Sequence, residues 1–517
     1  MKTVWSGKEE LLMRRALLVG FFVLLSPSFA QAADRYVRQG ATGANNGTDW
    51  TNAYASAASC ETAMQRSGQD VCWIAAGSYG SVTLNTPSSG TNVLTFRKAT
   101  VANHGTGVGW NDGYAGQATF DSILLGSDHW MLDGQVRNES NWADGPSYGF
   151  RVTSIVASTA QTPGVCAANV VVQYFNIGGA EGTTYTGSEP GEAIYHGGFD
   201  ETCRNWTIAR NYLHNIASYT MVQFAGTDTA TVEYNHFRNG WGKEAIRGQN
   251  IARNLVIRFN QFYNACGNTG LPGEGCTAEI ASWGGGAGAH DNHQIYGNWF
   301  YRTRHENSGG TIVVGGDGVS WLGAPTNDTL VYNNTVAGIS GAGVGGNILV
   351  NGGSGNICRN NLWYDTVSSG VDCTVSSNNT RVTNSPFVDY GAGNLRLSGP
   401  TPAGTMLSTP FNRDMDGIAR GTDGTWDLGA YEFGTSSPPV DAGSPDSGTV
   451  DGGEEPDSGT RDAGTTDAGT PDTNSPEGEP PASCGCATGR ASFAYVLLLG
   501  VSLLRRRLWI TKTTATR

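Results

Sequence analysis

Lysine is almost missing from the body of this chain. Between residues 34 and 433 only Lys98 and Lys243 occur, and charged residues make up 15% of all 517. So little charge argues against long solvated helices, and the acidic balance of −13 discourages nucleic acid as a partner. No apolar run reaches the roughly twenty residues that a bilayer span needs. The longest are Ala16–Leu25 and Ser492–Leu504. No Cys-x-x-Cys lies in the body, which removes the usual zinc spacing. Leucine-rich spacing and Trp-Asp blade signatures are missing too, which excludes those repeat folds.

What the chain does have is glycine, at 74 residues, with abundant Asn, Thr, Ser and aromatics. That is the usage of short strands joined by many turns, and it predicts an all-β body. Charge divides the chain. Residues 1–33 carry +2, residues 434–481 carry −10 and residues 482–517 carry +6, which leaves −11 on residues 34–433.

Residues 1–33 read as a secretory signal: Arg14 and Arg15 precede the first apolar run, and Ala30-Gln31-Ala32 offers a cleavage site. Either Met1 or Met13 can open it. Residues 434–481 are Pro, Gly, Ser, Thr and Asp, with Asp-Ala-Gly recurring from Asp441, Asp462 and Asp467. Such a segment repels itself and has little to bury, so a disordered linker is expected. Residues 482–517 hold Cys484-Gly485-Cys486, the second apolar run, expected as a short helix, and Arg505-Arg506-Arg507.

The body carries eight cysteines in sequence-local pairs: Cys60 and Cys72, Cys166 and Cys203, Cys266 and Cys276, Cys358 and Cys373. An even count in an exported chain predicts disulfides.

A repeat sets the fold. Val172-Gln-Tyr-Phe175-Asn-Ile177 introduces an apolar frame that recurs around Asn211, Asn235, Asn260, Asn298, Asn334 and Asn360. These asparagines are 24, 25, 38, 36 and 26 residues apart, and Asn215, Asn239 and Asn264 form a second register. One Asn per turn at a fixed place predicts a stacked ladder at a buried bend, with coils about 4.8 Å apart. About ten such coils would make a parallel β-helix.

In this frame the body resembles the pectate-lyase-like right-handed parallel β-helix superfamily. Val71–Tyr79 resembles its opening strand, Phe120 and Trp130–Gly134 resemble its early coils, and Asp427–Glu432 resembles its closing segment. The tail resembles the MYXO-CTERM sorting signals: a Cys motif, a short apolar helix and a basic cluster, in that order. The resemblance implies export to a bacterial cell surface, with Cys484 or Cys486 as the processing point and the membrane touched only by the tail. In the coil alignment Cys166 and Cys203 fall at equivalent places of adjacent coils, within disulfide reach. A monomer is expected.

The strands between successive asparagines place Ile194, Val222, Ile246, Ile280 and Ile312 inward. Strict alternation then puts Ala193, Met221, Ala245 and Glu279 outward, with Tyr195, Gln223, Arg247 and Ala281. The resemblance implies a substrate groove on this sheet. β-Elimination from a uronate polymer needs a cation on the carboxylate and a base for the neighbouring proton. Lys243, Arg247 and Glu279 are the candidate catalytic residues, and Tyr195, Gln223, Trp283 and His293 the candidate substrate-binding ones. The same charges also make an ordinary surface ion-pair set. His290 and His293 read more readily as hydrogen-bond partners than as metal ligands, for want of a third partner. Calcium is the cation that Asp200, Glu201 and Asp317 would suit. No local lyase motif is present. Two functions follow: an extracellular polysaccharide enzyme, a lyase by preference, or a non-catalytic surface protein that binds glycan as an adhesin does.

Overall fold

The computed structural model describes residues 32–434, without 88, 159–165, 181–189, 198–202, 218–219, 267–275, 285–289, 306–308, 317–322 and 342–344. Apart from Ala32, Ala33 and Gly434, the signal segment, linker and tail therefore lie outside the described residues, as do Cys484, Cys486, Asp200, Glu201 and Asp317. Among the described residues no helix is long and apolar enough to cross a membrane.

Short β-rich segments wind into a parallel β-helix, with 29 strands joined in one continuous sheet system. Its right-handed sense is that of parallel crossovers between twisted strands. Three sheets run along the coil. The first includes Ile194–Gly197, Ala278–Trp283, Ile312–Val314 and Ile348–Val350. The second runs from Asp34–Val37 to Val375–Ser377, and the third includes Tyr212–Ile216, His236–Gly240, Gln261–Tyr263 and Trp299–Tyr301. Two long strands, Thr220–Glu233 and Glu244–Arg258, pass through both the first and second sheets.

The corner between the second and third sheets carries the asparagine ladder. Asn235 Nδ2 donates to Ile208 O at 2.8 Å and to Asn260 Oδ1 at 3.0 Å. The Asn235 backbone N–H donates to the same Oδ1 at 3.0 Å, and Asn235 Oδ1 accepts from Asn211 N–H and Nδ2, so both amide hydrogens and the carbonyl are used. The pattern repeats at Asn211, Asn260, Asn298 and Asn334.

The last expected member is corrected. Asn334 bonds to Asn361, not Asn360, and Asn361 bonds onward to Asn379. The residue before each ladder member is left-handed: Arg210, Tyr234, Phe259, Asn333, Asn360 and Asn378 have φ between 53° and 59°. Asn tolerates that conformation better than most residues, so Asn360-Asn361 can be read in two frames. Asn360 instead serves the C-terminal segment: its Nδ2 donates to Thr405 O and its backbone oxygen accepts from Gly429. At the equivalent position before Asn298 stands Gly297, where a Cβ would lie 2.6 Å from the Phe259 ring.

The interior is filled by stacked apolar columns. Phe237, Phe262 and Phe300 lie one above another, with centroids 4.7 Å apart at each step. Asp427–Glu432 lies on the outer side of the coils, where Ala430 N–H donates to Thr335 Oγ1 at 2.8 Å and Tyr431 joins an apolar cluster with Trp299 and Tyr301. Cys60–Cys72, Cys266–Cys276 and Cys358–Cys373 are disulfides. Cys166 is also disulfide-bonded; the Cys203 side chain lies outside the described residues.

Candidate functional site

The first sheet supplies a floor whose register follows the expected alignment. Ile194, Val222, Ile246, Ile280, Ile312 and Ile348 face one another through successive coils and are buried. Their neighbours Tyr195, Gln223, Arg247, Ala281, Val313 and Leu349 form the next file. Pleating sends alternate side chains to opposite faces, so this file is the groove side.

Polar and charged groups converge at one end of it. Gln223 Nε2 donates to Gln249 Oε1 at 2.9 Å. Arg247 Nη1 is 4.0 Å from Glu244 Oε2, and Arg247 Nε is buried with no hydrogen-bond partner among the described residues. An unsatisfied guanidinium donor is costly where it stands and favours an incoming oxyanion. Burial raises the Glu192 carboxyl above its ordinary range, and Arg247 pulls it partly back. Burial also raises the Tyr195 phenol, with the Glu192 charge adding to the effect. Glu192, Tyr195, Glu244 and Arg247 therefore share one electrostatic environment. Lys243, half-buried, stands immediately before the strand, and its carbonyl accepts from Thr277 N–H at 2.8 Å.

Two expected site residues, Glu279 and His293, do not reach the groove, and a third, Trp283, lies on the groove side with little of its surface exposed. Strict alternation fails where the chain turns into the first sheet, so Ala193, Met221 and Ala245 join the apolar core instead of facing out. Glu279, in the same file, is fully buried, and its Oε2 lies 2.8 Å from His305 Nε2. His293 is 1% exposed: its Nδ1 accepts from Leu255 N–H, and its Nε2 meets Ser282 Oγ, which also meets His290. Burial lowers His293 to about 3 and His290 to about 4, so both are neutral structural groups. Trp283 is 4% exposed and packs with Ala281 and Val313, so it offers a sugar little open ring face. Gln223 is 8% exposed and remains on the floor.

Sequence reasoning missed Glu192, Glu244 and Gln249. A signal for the first two was present: Glu192-Ala-Ile194 and Glu244-Ala-Ile246 are the same tripeptide at the entrance of the same sheet. Among the described residues, Cys266, Cys276 and Glu279 come close enough to hold a metal ion. Those cysteines are bonded to each other, so their sulfurs offer no thiolate.

No family model and no curated protein matches this chain. Among solved structures it is similar to pectate lyase Pel9A at 13% identity and a TM-score of 0.47, covering 78% of this chain and 98% of that one. It is also similar to the PL6 family alginate lyase AlyGC at 13% identity and a TM-score of 0.28, covering 68% of this chain and 52% of the lyase. A variant of that lyase aligns at 12% identity and a TM-score of 0.30, covering 79% of this chain and 58% of the other.

Proposed function

We propose that this chain is an exported protein that takes an acidic polysaccharide in the first-sheet groove and cleaves it by β-elimination. The observation that carries the reading is Arg247, a guanidinium on the groove file whose buried Nε has no partner among the described residues. A uronate carboxylate supplies the missing acceptor, and neutralising it acidifies the adjacent carbon-bound proton. Lys243 takes that proton, the bond from the neighbouring carbon to the glycosidic oxygen breaks, and a carbon–carbon double bond forms. Tyr195, whose raised pKa keeps its hydroxyl protonated, gives its proton to the leaving oxygen.

One observation favours the second reading, glycan binding without turnover. Glu279 is fully buried against His305, which leaves fewer acid–base groups at the groove than the sequence promised. The Lys243→Ala, Arg247→Ala double variant separates the two. A lyase should lose at least about 100-fold in rate; a binding protein should show no turnover before substitution and lose polymer affinity after it. A double variant that keeps full activity dismisses the site.

The disulfides agree with an oxidising compartment. Export through residues 1–33, projection on the linker 434–481 and surface anchoring through 482–517 complete the proposal.

A further inference from the structure

A separate cleft of about 810 Å³ lies on the third sheet, within the usual size of ligand pockets, roughly 300–1,000 Å³. Its floor is the outward file His236, Gln261 and Trp299, and its walls come from the 139–143 loop and the C-terminal segment near residues 392–396 and 415–417. It shares no residue with the first-sheet groove.

Four arginines line it, each over an aromatic ring. Arg137 lies 4.0 Å from the Trp142 centroid and Arg210 5.0 Å from Tyr234. Arg238 lies 5.2 Å from Tyr263, and Arg396 5.2 Å from Tyr431. Arg137 grips Glu139 through Nε and Nη2, and Arg396 grips Asp416 in the same way. Arg238 has no ion-pair partner among the described residues, and its Nε is buried without an acceptor. His236 adds no charge, because burial holds its pKa near 3 and its Nδ1–H donates to Gln261 Oε1 at 2.9 Å. The lining is thus net cationic in a chain of net charge −13, and its aromatic rings stand beside the cations.

We propose that this cleft is a second binding site, for an oligosaccharide that bears carboxylate groups. A carboxylate completes Arg238 Nε, and the apolar faces of sugar rings lie against the exposed edges of Trp142 and Tyr263. The proposal stands on different residues from the first-sheet reading and can fail or hold without it.

Calorimetric titration of the full-length Lys243→Ala, Arg247→Ala protein with uronate oligosaccharides isolates the cleft. Saturable binding is expected, and neutral oligosaccharides of the same length should not compete. Adding Arg238→Gln, or separately Trp142→Ala, should weaken that binding at least about tenfold. An unchanged melting temperature in either variant shows that the fold was kept. No saturable binding to the double variant, equal binding of neutral sugars, or binding untouched by both cleft substitutions would overturn the proposal.

Discussion

Glu279 Oε2 lies 2.8 Å from His305 Nε2, and neither side chain is exposed at all. The pair sits close to the Cys266–Cys276 disulfide, in an interior where an orphaned polar group is expensive. Glu279→Ala should therefore destabilise the protein by about 1–3 kcal/mol, because His305 loses its partner. A urea melt checks this. An unchanged midpoint would return Glu279 to the surface role that alternation first suggested.

The ladder makes a sharper distinction between two adjacent residues. Asn361→Leu, like Asn235→Leu, should cost about 1–3 kcal/mol, since a buried bend loses two donors and an acceptor. Asn360→Gly keeps the left-handed backbone and gives up only the bonds to Thr405, so it should cost under about 1 kcal/mol. The reverse order would place Asn360 in the ladder.

Acid should unfold the protein from about neutrality downward. Burial holds His196, His214, His236 and His293 near 3 and His290 near 4. These folded values lie below the unfolded value of about 6.5, so the unfolded chain takes up protons that the folded chain refuses. Their stabilisation is complete above pH 6.5 and is lost as pH falls towards 3. Each group contributes up to about 1.4 kcal/mol per pH unit in that window. Asp414 opposes them, since burial raises it to about 6 and favours the folded state as pH falls from 6 to 4. Burial also raises Glu192 and Glu432, which act in the same direction, but three carboxyls against five histidines still leave a net loss. Melting temperatures at pH 7.5 and 5 test the sign, and His293→Gln should flatten the slope.

Deleting 483–517 should release the protein into the medium, because the acidic linker left behind has no affinity for a membrane. Fractionation of cells and supernatant reads the result. Retention at the surface would put the anchor elsewhere.

The coil and its register were legible because the signal repeats: an Asn per turn inside an apolar frame fixes both period and phase, and the isoleucine file aligned without error. The ladder slipped only at Asn360-Asn361, where two adjacent positions favour Asn for different reasons, one for its amide and one for its tolerance of a left-handed backbone. At the site, Arg247 and Gln223 were placed by alternation, which holds inside a strand. Glu279 was misplaced because alternation ends at a corner. His293 is the hydrogen-bond partner its type suggested, bonded to Leu255 N–H and Ser282 Oγ, and only its place in the groove was misread, because packing that encloses a loop histidine leaves no local signal. The third-sheet cleft left no local signature, since its arginines come from residues as distant as Arg137 and Arg396.

The first-sheet proposal is tested most directly by the near-ultraviolet absorbance of unsaturated products released from a panel of uronate polymers by the full-length protein. The account predicts a rising signal on at least one polymer, reduced at least about 100-fold by Lys243→Ala with Arg247→Ala. No signal on any polymer, or an undiminished signal in the double variant, would contradict it.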